Sequence, residues 1–214
     1  MGFNKSLLLA IVSLSSLFLS THANIGALSP SQSQIPTIDT NILNLASNLI
    51  RRTFKASPEI LEFCKGTENP TLCSETIAPH IQGPFDPIKA LEVEMKATLN
   101  QSLKVTEFIS DALANPNTDK RARGALSICK SQYKSIKGTI KEALELLEQQ
   151  NVVDAYYKFS SVLSDQSTCE DAFAESPGVT IPFAEDSIGV LDLGGNCLAI
   201  MDGMVTSRVH SLLV

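Results

Sequence analysis

The stretch LSICKSQYKSIKGTIKEALELLEQQNVVDAYYKFSSVLSDQSTCEDAF, residues 126–173, decides the fold. Leu126, Cys129, Tyr133, Ile136, Ile140, Ala143 and Leu147 recur at alternating intervals of three and four, which places all seven on one face of a helix. Beyond the polar Gln149-Gln150-Asn151, a second helical stripe runs through Val152, Tyr156, Phe159, Leu163, Gln166, Cys169 and Phe173. A polar turn between two such stripes predicts two long antiparallel helices in a hairpin. Cys129 lies 21 residues before Gln150 and Cys169 lies 19 after it, so the two fall at nearly one height on facing stripes. A disulfide needs Cα atoms roughly 4.4 to 6.8 Å apart, which makes this pair the natural bridge.

The same periodicity extends outward. Ile88, Leu91, Met95, Leu99, Ser102, Val105 and Ile109 form a stripe introduced by Asp86-Pro87, a helix-start signal, and stopped near Asn115-Pro116-Asn117. A last helix is expected from about Asp186 to the C-terminus through Leu191, Leu198, Met201, Val205 and Leu212. No alternating strand pattern competes. The expected fold is all-α: an antiparallel up-down four-helix bundle over 84–214, with two disulfides. Ahead of it, residues 37–82 carry too few apolar side chains for a core of their own and are read as a helical hairpin extension. Its helices begin at Ile42-Leu45-Leu49, at Ser57-Pro58 and at Thr71. Residues 24–36, with Ser-Pro-Ser-Gln-Ser-Gln, are expected to be disordered.

Residues 1–23 have the layout of a secretory signal peptide. Lys5 precedes the apolar run Leu7 to Leu19, and Thr21-His22-Ala23 supplies small residues for cleavage. Gly2 and Ser6 also match a myristoylation spacing, but the apolar run commits the chain to export. No second long apolar run is apparent, so no membrane association is expected. The net charge is -6, and cleavage removes one lysine and no acid. Scattered basic residues without aromatic platforms speak against nucleic acid, and an acidic chain is steered instead toward basic surfaces.

In an oxidising compartment, Cys64 and Cys73 flank a turn rich in Gly and Asn-Pro and can close on each other. Eight residues between them do not suit a zinc knuckle, and a redox pair would need two. Cys197 is left as a free thiol on an apolar helix face, where a cysteine acts as a small hydrophobe. Enzyme signatures are missing: there is no Gly-x-Ser-x-Gly elbow, Walker loop, His-Glu-x-x-His or dinucleotide fingerprint. After cleavage His80 and His210 remain, far apart in sequence. Glu142, Glu145 and Glu148 read as a solvated helix face, and Gly194-Gly195 as a close helix contact. No catalytic residue, metal ligand or cofactor is expected. Asn100-Gln101-Ser102 is a glycosylation sequon on an outward stripe.

Four motifs together resemble the plant invertase and pectin methylesterase inhibitor family: Cys64-x8-Cys73 containing Asn69-Pro70, Cys129-x3-Tyr133, Ser167-Thr168-Cys169-Glu170-Asp171-Ala172-Phe173, and Gly195-Asn196-Cys197-Leu198-Ala199-Ile200. The resemblance covers residues 58–210. The resemblance implies a four-helix bundle with a protruding N-terminal hairpin, first-second and third-fourth disulfide pairing, and no catalysis. It further implies that the chain binds and blocks a carbohydrate-active enzyme of the cell wall or vacuole. The leading expectation is a secreted, apoplastic inhibitor that covers the substrate cleft of a pectin methylesterase in a stoichiometric complex. The alternative is an acid invertase inhibitor, in the wall or the vacuole. Many invertase inhibitors carry Pro-Lys-Phe in the loop before the last helix, where this chain has Ile181-Pro182-Phe183 without the lysine. In related pectin methylesterase inhibitors the residue matching Thr168 faces the enzyme, so Thr168, and with it Asp171, are the interface candidates. Tyr133, on the inward stripe, reads as packing.

Overall fold

The computed structural model describes residues 56–212, the last five by backbone alone. The signal segment 1–23, the segment 24–36, the helix expected at Ile42-Leu45-Leu49 and the His210 side chain lie outside the described residues. Most helix starts follow from their caps. α1 (Pro58–Cys64), α2 (Pro70–Ile77) and α3 (Pro87–Ala114) each begin on a proline, with Ser57, Asn69 and Asp86 as N-caps. Asp86 Oδ1 accepts from both Ile88 N (2.9 Å) and Lys89 N (3.2 Å). Proline suits this place because its missing N–H would lack a partner there anyway. A single 3-10 turn, Ala78–His80, follows α2. Asp119 caps α4 (Lys120–Glu148) and Asn151 caps α5 (Val152–Phe159). α6 (Ser161–Ala174) and α7 (Ala184–Leu212) complete the chain.

The turn between α4 and α5 is a Schellman ending. Asn151 N–H reaches Leu146 O and Gln150 N–H reaches Leu147 O, both at 2.9 Å. Gln150 takes the left-handed position with φ 58°, where glycine is usual. The expected single helix 152–173 is broken at Ser160. Ser160 Oγ donates to Tyr157 O at 2.8 Å and Ser161 Oγ to Lys158 O at 3.3 Å, and such serine back-bonding competes with the helix ladder.

α3 and α7 are packing neighbours, α4 packs on α3, α5 and α6, and α7 also packs on α5 and α6, which gives a four-sided bundle with α5 and α6 sharing one corner. The seven stripe residues from Leu126 to Leu147 are all buried. On α5 and α6 the buried row is Val152, Ala155, Phe159, Val162, Gln166, Cys169 and Phe173. Tyr156 and Leu163, expected on the inward stripe, are only partly buried, because the small Ala155 and the slimmer Val162 take the tight positions facing α4. On α3, Glu94 and Thr98 are buried, while Ile88 and Leu99 lie at the edge. On α7 the row is Ser187, Val190, Leu193, Cys197, Ile200 and Met201, and Leu191 is 37% exposed. The shift follows from Gly194, where a Cβ would sit 2.8 Å from Leu163 Cδ2, so the backbone itself is the contact surface. Among the described residues one helical run, Ala184–Ser207, is long and apolar enough to cross a membrane, where the sequence reading expected no long apolar run after the N-terminal one. Val190, Cys197 and Met201 at 0% exposure explain that composition by burial in the core.

The described part of the hairpin does not protrude. α1 and α2 fold back on α3 and α7, with Ile60 at 3% exposure and Cys64, Cys73 and Ile77 at 0%. Cys64–Cys73 joins the two short helices with Cα atoms 5.7 Å apart, and Cys129–Cys169 joins α4 to α6 at 4.5 Å.

Two outcomes follow. Replacing Cys129 and Cys169 together by Ser should cost about 4 kcal/mol on the chain-entropy relation for a loop of this length, or roughly 10 °C of melting temperature, with helical circular dichroism retained at 25 °C. Gln150→Gly should raise stability by about 0.5–1 kcal/mol in denaturant titration, because the left-handed strain it removes exceeds the added chain entropy.

Candidate docking face

α6 presents Ser164, Ser167, Thr168 and Asp171 to solvent while its inner side is tied down. Thr168 Oγ1 donates to Ser164 O at 2.8 Å, which spends its hydrogen on the helix and leaves its lone pairs outward as acceptors. Asp171 lies one turn further on, also exposed. Both are therefore accessible, and both flank the buried Cys169.

Behind this face lies a polar network that connects α4, α6 and α7. Gln166, 1% exposed, donates to Glu170 Oε1 (2.6 Å) and to Ser187 Oγ (3.0 Å). Ser187 Oγ donates to Glu170 Oε1 at 3.0 Å, and Tyr133 OH lies 3.1 Å from Ser187 Oγ. The accounting closes: Ser187 has one hydrogen, given to Glu170, and two lone pairs, which receive Gln166 and Tyr133. Burial pushes the Tyr133 hydroxyl up to about 12, so it stays a donor throughout the neutral range. Tyr133 is fully buried and serves the network and the core, not the surface.

The loop between α6 and α7 turns at Gly178, φ 74°, and is anchored by Phe183. That ring is 3% exposed and packs on Phe108 (5.7 Å), Phe173 (5.7 Å) and Tyr133 (6.3 Å between centroids). Of Ile181-Pro182-Phe183, Pro182 is the exposed member. A groove of about 560 Å³ opens beside the loop, floored by Phe108 and Leu126, with Asp111 and Asp119 among its lining.

The remaining candidates fall elsewhere. Asn100 is exposed on α3. Since α3 and α6 both pack on α4 and α7, Asn100 lies across the bundle diagonal from Thr168. Cys197 is a free thiol with 0% exposure, its ionisation pushed well up by burial and then by Glu94. His80 is exposed. Glu142 pairs with Lys158 at 2.5 Å on a solvated face. A Cβ on Gly195 would meet Glu68 Oε2 at 2.9 Å, the far end of an exposed side chain that is free to swing aside. Among the described residues no group of three or more His, Cys, Asp or Glu side chains is placed to hold a metal ion. Sequence reasoning missed the polar interior: Gln166 was read as part of a stripe, Glu170 and Asn196 entered only as members of motifs, and Ser187 and Glu94 were not singled out. Glu94, three residues after Leu91 and beside Met95, was the one with a signal, a charge at an inward heptad position.

The family model described as plant invertase/pectin methylesterase inhibitor matches residues 58–200. A pectinesterase inhibitor of Actinidia deliciosa is 24% identical over 74% of this chain and 86% of its own length. A candidate invertase inhibitor of Platanus orientalis is 27% identical, over 50% of this chain and 63% of its own length. The crystal structure of a mutant form of a pectin methylesterase inhibitor from Arabidopsis superposes with a TM-score of 0.58 at 20% identity, covering 68% of this chain and 97% of that one. A second such inhibitor structure, from Arabidopsis thaliana, gives 0.52 at 22% identity, with 69% and 97% covered. At these identities the two structures speak to the fold alone, which is the helical bundle described above. The names these relatives carry are those of inhibitors, not of enzymes. With its cysteine motifs, its bundle and a family match that spans two thirds of its length, the chain belongs to the plant invertase/pectin methylesterase inhibitor family.

Proposed function

We propose that the protein is a secreted inhibitor of a pectin methylesterase, which it blocks by laying the outward face of α6 over the substrate cleft. The observation that carries this reading is the rigidity behind Thr168 and Asp171: a disulfide on one side and the closed Gln166–Glu170–Ser187 network on the other. A face fixed before encounter loses little conformational entropy on binding, which favours a tight stoichiometric complex. The longer match to the Actinidia pectinesterase inhibitor, over 74% of the chain, supports the same target. The Platanus relative keeps invertase as the second reading. Burial of Phe183 weighs against it, since the loop that would engage an invertase has its aromatic side chain turned into the core. Secretion is inferred from the apolar run before residue 23, and an apoplastic destination from the target.

The negative net charge, -6 before cleavage, should speed encounter with a basic enzyme, and salt should screen that effect. A glycan on Asn100 would sit on the far side of the bundle and leave the α6 face open.

Three measurements test this. Mixing the mature protein with a pectin methylesterase and with an acid invertase should abolish activity of the first and spare the second; inhibition of the invertase alone would reverse the assignment. In binding kinetics with the pectin methylesterase, Thr168→Trp should raise the dissociation rate at least about tenfold, while 0.1 M salt should chiefly slow association. Unchanged kinetics in a folded Thr168→Trp variant would move the docking face off α6. Secreted protein treated with a peptide-N-glycosidase should lose mass, whereas the Asn100→Gln variant should not, and both should inhibit equally.

A further inference from the structure

Glu94 sits on α3 at 0% exposure. Its Oε1 accepts from Asn196 Nδ2 of α7 at 3.0 Å, and its Oε2 is buried without a hydrogen-bond partner. Asn196, also at 0% exposure, holds the hairpin on its other edge. Its Oδ1 accepts the Asn69 backbone N–H at 3.0 Å, and its Nδ2 reaches Asn69 O at 3.3 Å. Asn69 is in turn the N-cap of α2. A single hydrogen-bonded path therefore runs from a buried carboxyl, through Asn196, to the loop that joins α1 and α2.

The groups around Glu94 offer its charge no compensation. On α3 itself, Lys89 and Lys96 both bind Glu92 on the solvent side, and they hold the Glu92 carboxyl below its usual range. On α7 the Cys197 thiol interacts with Glu94, and Asp192, whose Oδ2 lies 3.5 Å from Asn69 Nδ2, is a further acid. On the hairpin, Glu68 lies against Gly195, Glu75 is exposed, and Lys65 pairs with Glu62 in solvent. From α4 the inward side chains are apolar or sulfur but for Tyr133, which is committed to Ser187. Among the described residues no basic side chain pairs with Glu94. A buried carboxylate with one hydrogen bond and no cation is unfavourable, and keeping its proton is the simplest remedy.

We propose that Glu94 is a pH-sensitive clamp on the N-terminal hairpin: in its neutral form it lets α1 and α2 dock on α3 and α7, and its ionisation loosens that docking. Burial raises the Glu94 carboxyl to about 7, against the weaker opposing pull of Asn196. A group whose folded value is raised above its unfolded value of 4.5 contributes stability fully at lower pH and loses it as pH rises through about 7. The folding constant should therefore fall by up to about a hundredfold between pH 4.5 and neutrality from this group alone. The hairpin is the part that yields. Its helices have 7 and 8 residues, against 28 in α3 and 29 in α7, and short elements open at lower cost than the long helices beneath them.

The test compares the full mature chain with Glu94→Gln, which keeps the acceptor for Asn196 but carries no charge at any pH. In the parent, amide-exchange protection across residues 58–77, corrected for intrinsic rates, should drop at least about tenfold from pH 5 to pH 8, and the melting temperature should fall with it. Glu94→Gln should lose neither. An equal loss in both proteins overturns the proposal. If Glu94→Gln does not fold, carbon-13 titration of the Glu94 carboxyl in the parent decides instead. A midpoint near 7 with a concerted shift of the Asn69 amide supports the clamp. A midpoint near 4.5, or one near 7 with a still Asn69 amide, refutes it.

Discussion

The bridge between Cys129 and Cys169 sets the distance that the rest of the bundle has to accept. With Cα atoms 4.5 Å apart, α4 and α6 meet almost backbone to backbone, closer than helices packed through large side chains. That closeness suits the small buried side chains one turn from the bridge, Ala125 on α4 and Ala172 on α6. It also holds the inner side of α6 still, so that the polar residues on its outer side are presented by a rigid element. In a bundle of this size the bridge does not create the fold, since the apolar stripes suffice to collapse it. It chooses one register of α6 against α4 from those that the stripes would tolerate.

Polar groups inside the bundle come in two kinds, and the difference has a functional sense. The set formed by Gln166, Glu170, Ser187 and Tyr133 is fully satisfied, and a satisfied buried network specifies one arrangement of the helices that share it. It stands directly beneath the candidate docking face. The set formed by Glu94, Asn196 and Asn69 is incomplete, with one carboxylate oxygen left over. The first kind gives rigidity beneath the candidate docking face; the second, on the proposal made for Glu94, makes a contact conditional where a small hairpin closes over the core. Both are invisible to a hydrophobicity profile, because an inward polar residue merely weakens a stripe.

Family membership and docking face rest on separate grounds. The cysteine motifs and the bundle carry the first. The second depends on which residues of α6 are turned outward, and Thr168 and Asp171 are. Phe183 shows why accessibility decides such matters: beside Pro182 it reads as a recognition element, yet it closes the aromatic cluster of Phe108, Tyr133 and Phe173.

The amino-acid sequence by itself determined what depends on neighbours along the chain. Helix starts at Pro58 and Pro87 were legible because a cap and a proline act within one turn, whereas the helix expected from Thr71 begins at Pro70 on the Asn69 cap. The inward face of α4 was legible because the three-four spacing is a property of one helix. The level of Cys129 and Cys169 followed from counting away from the turn at Gln150. Tertiary structure alone decided what depends on distance through space. It moved the buried row of α7 from Leu191 to Val190 and Gly194, and it set Glu94 opposite Asn196 across 102 residues of chain. Periodicity specifies a helix face to within about a third of its circumference, whereas side-chain volume and hydrogen-bond partners on the facing helix select the row that is buried.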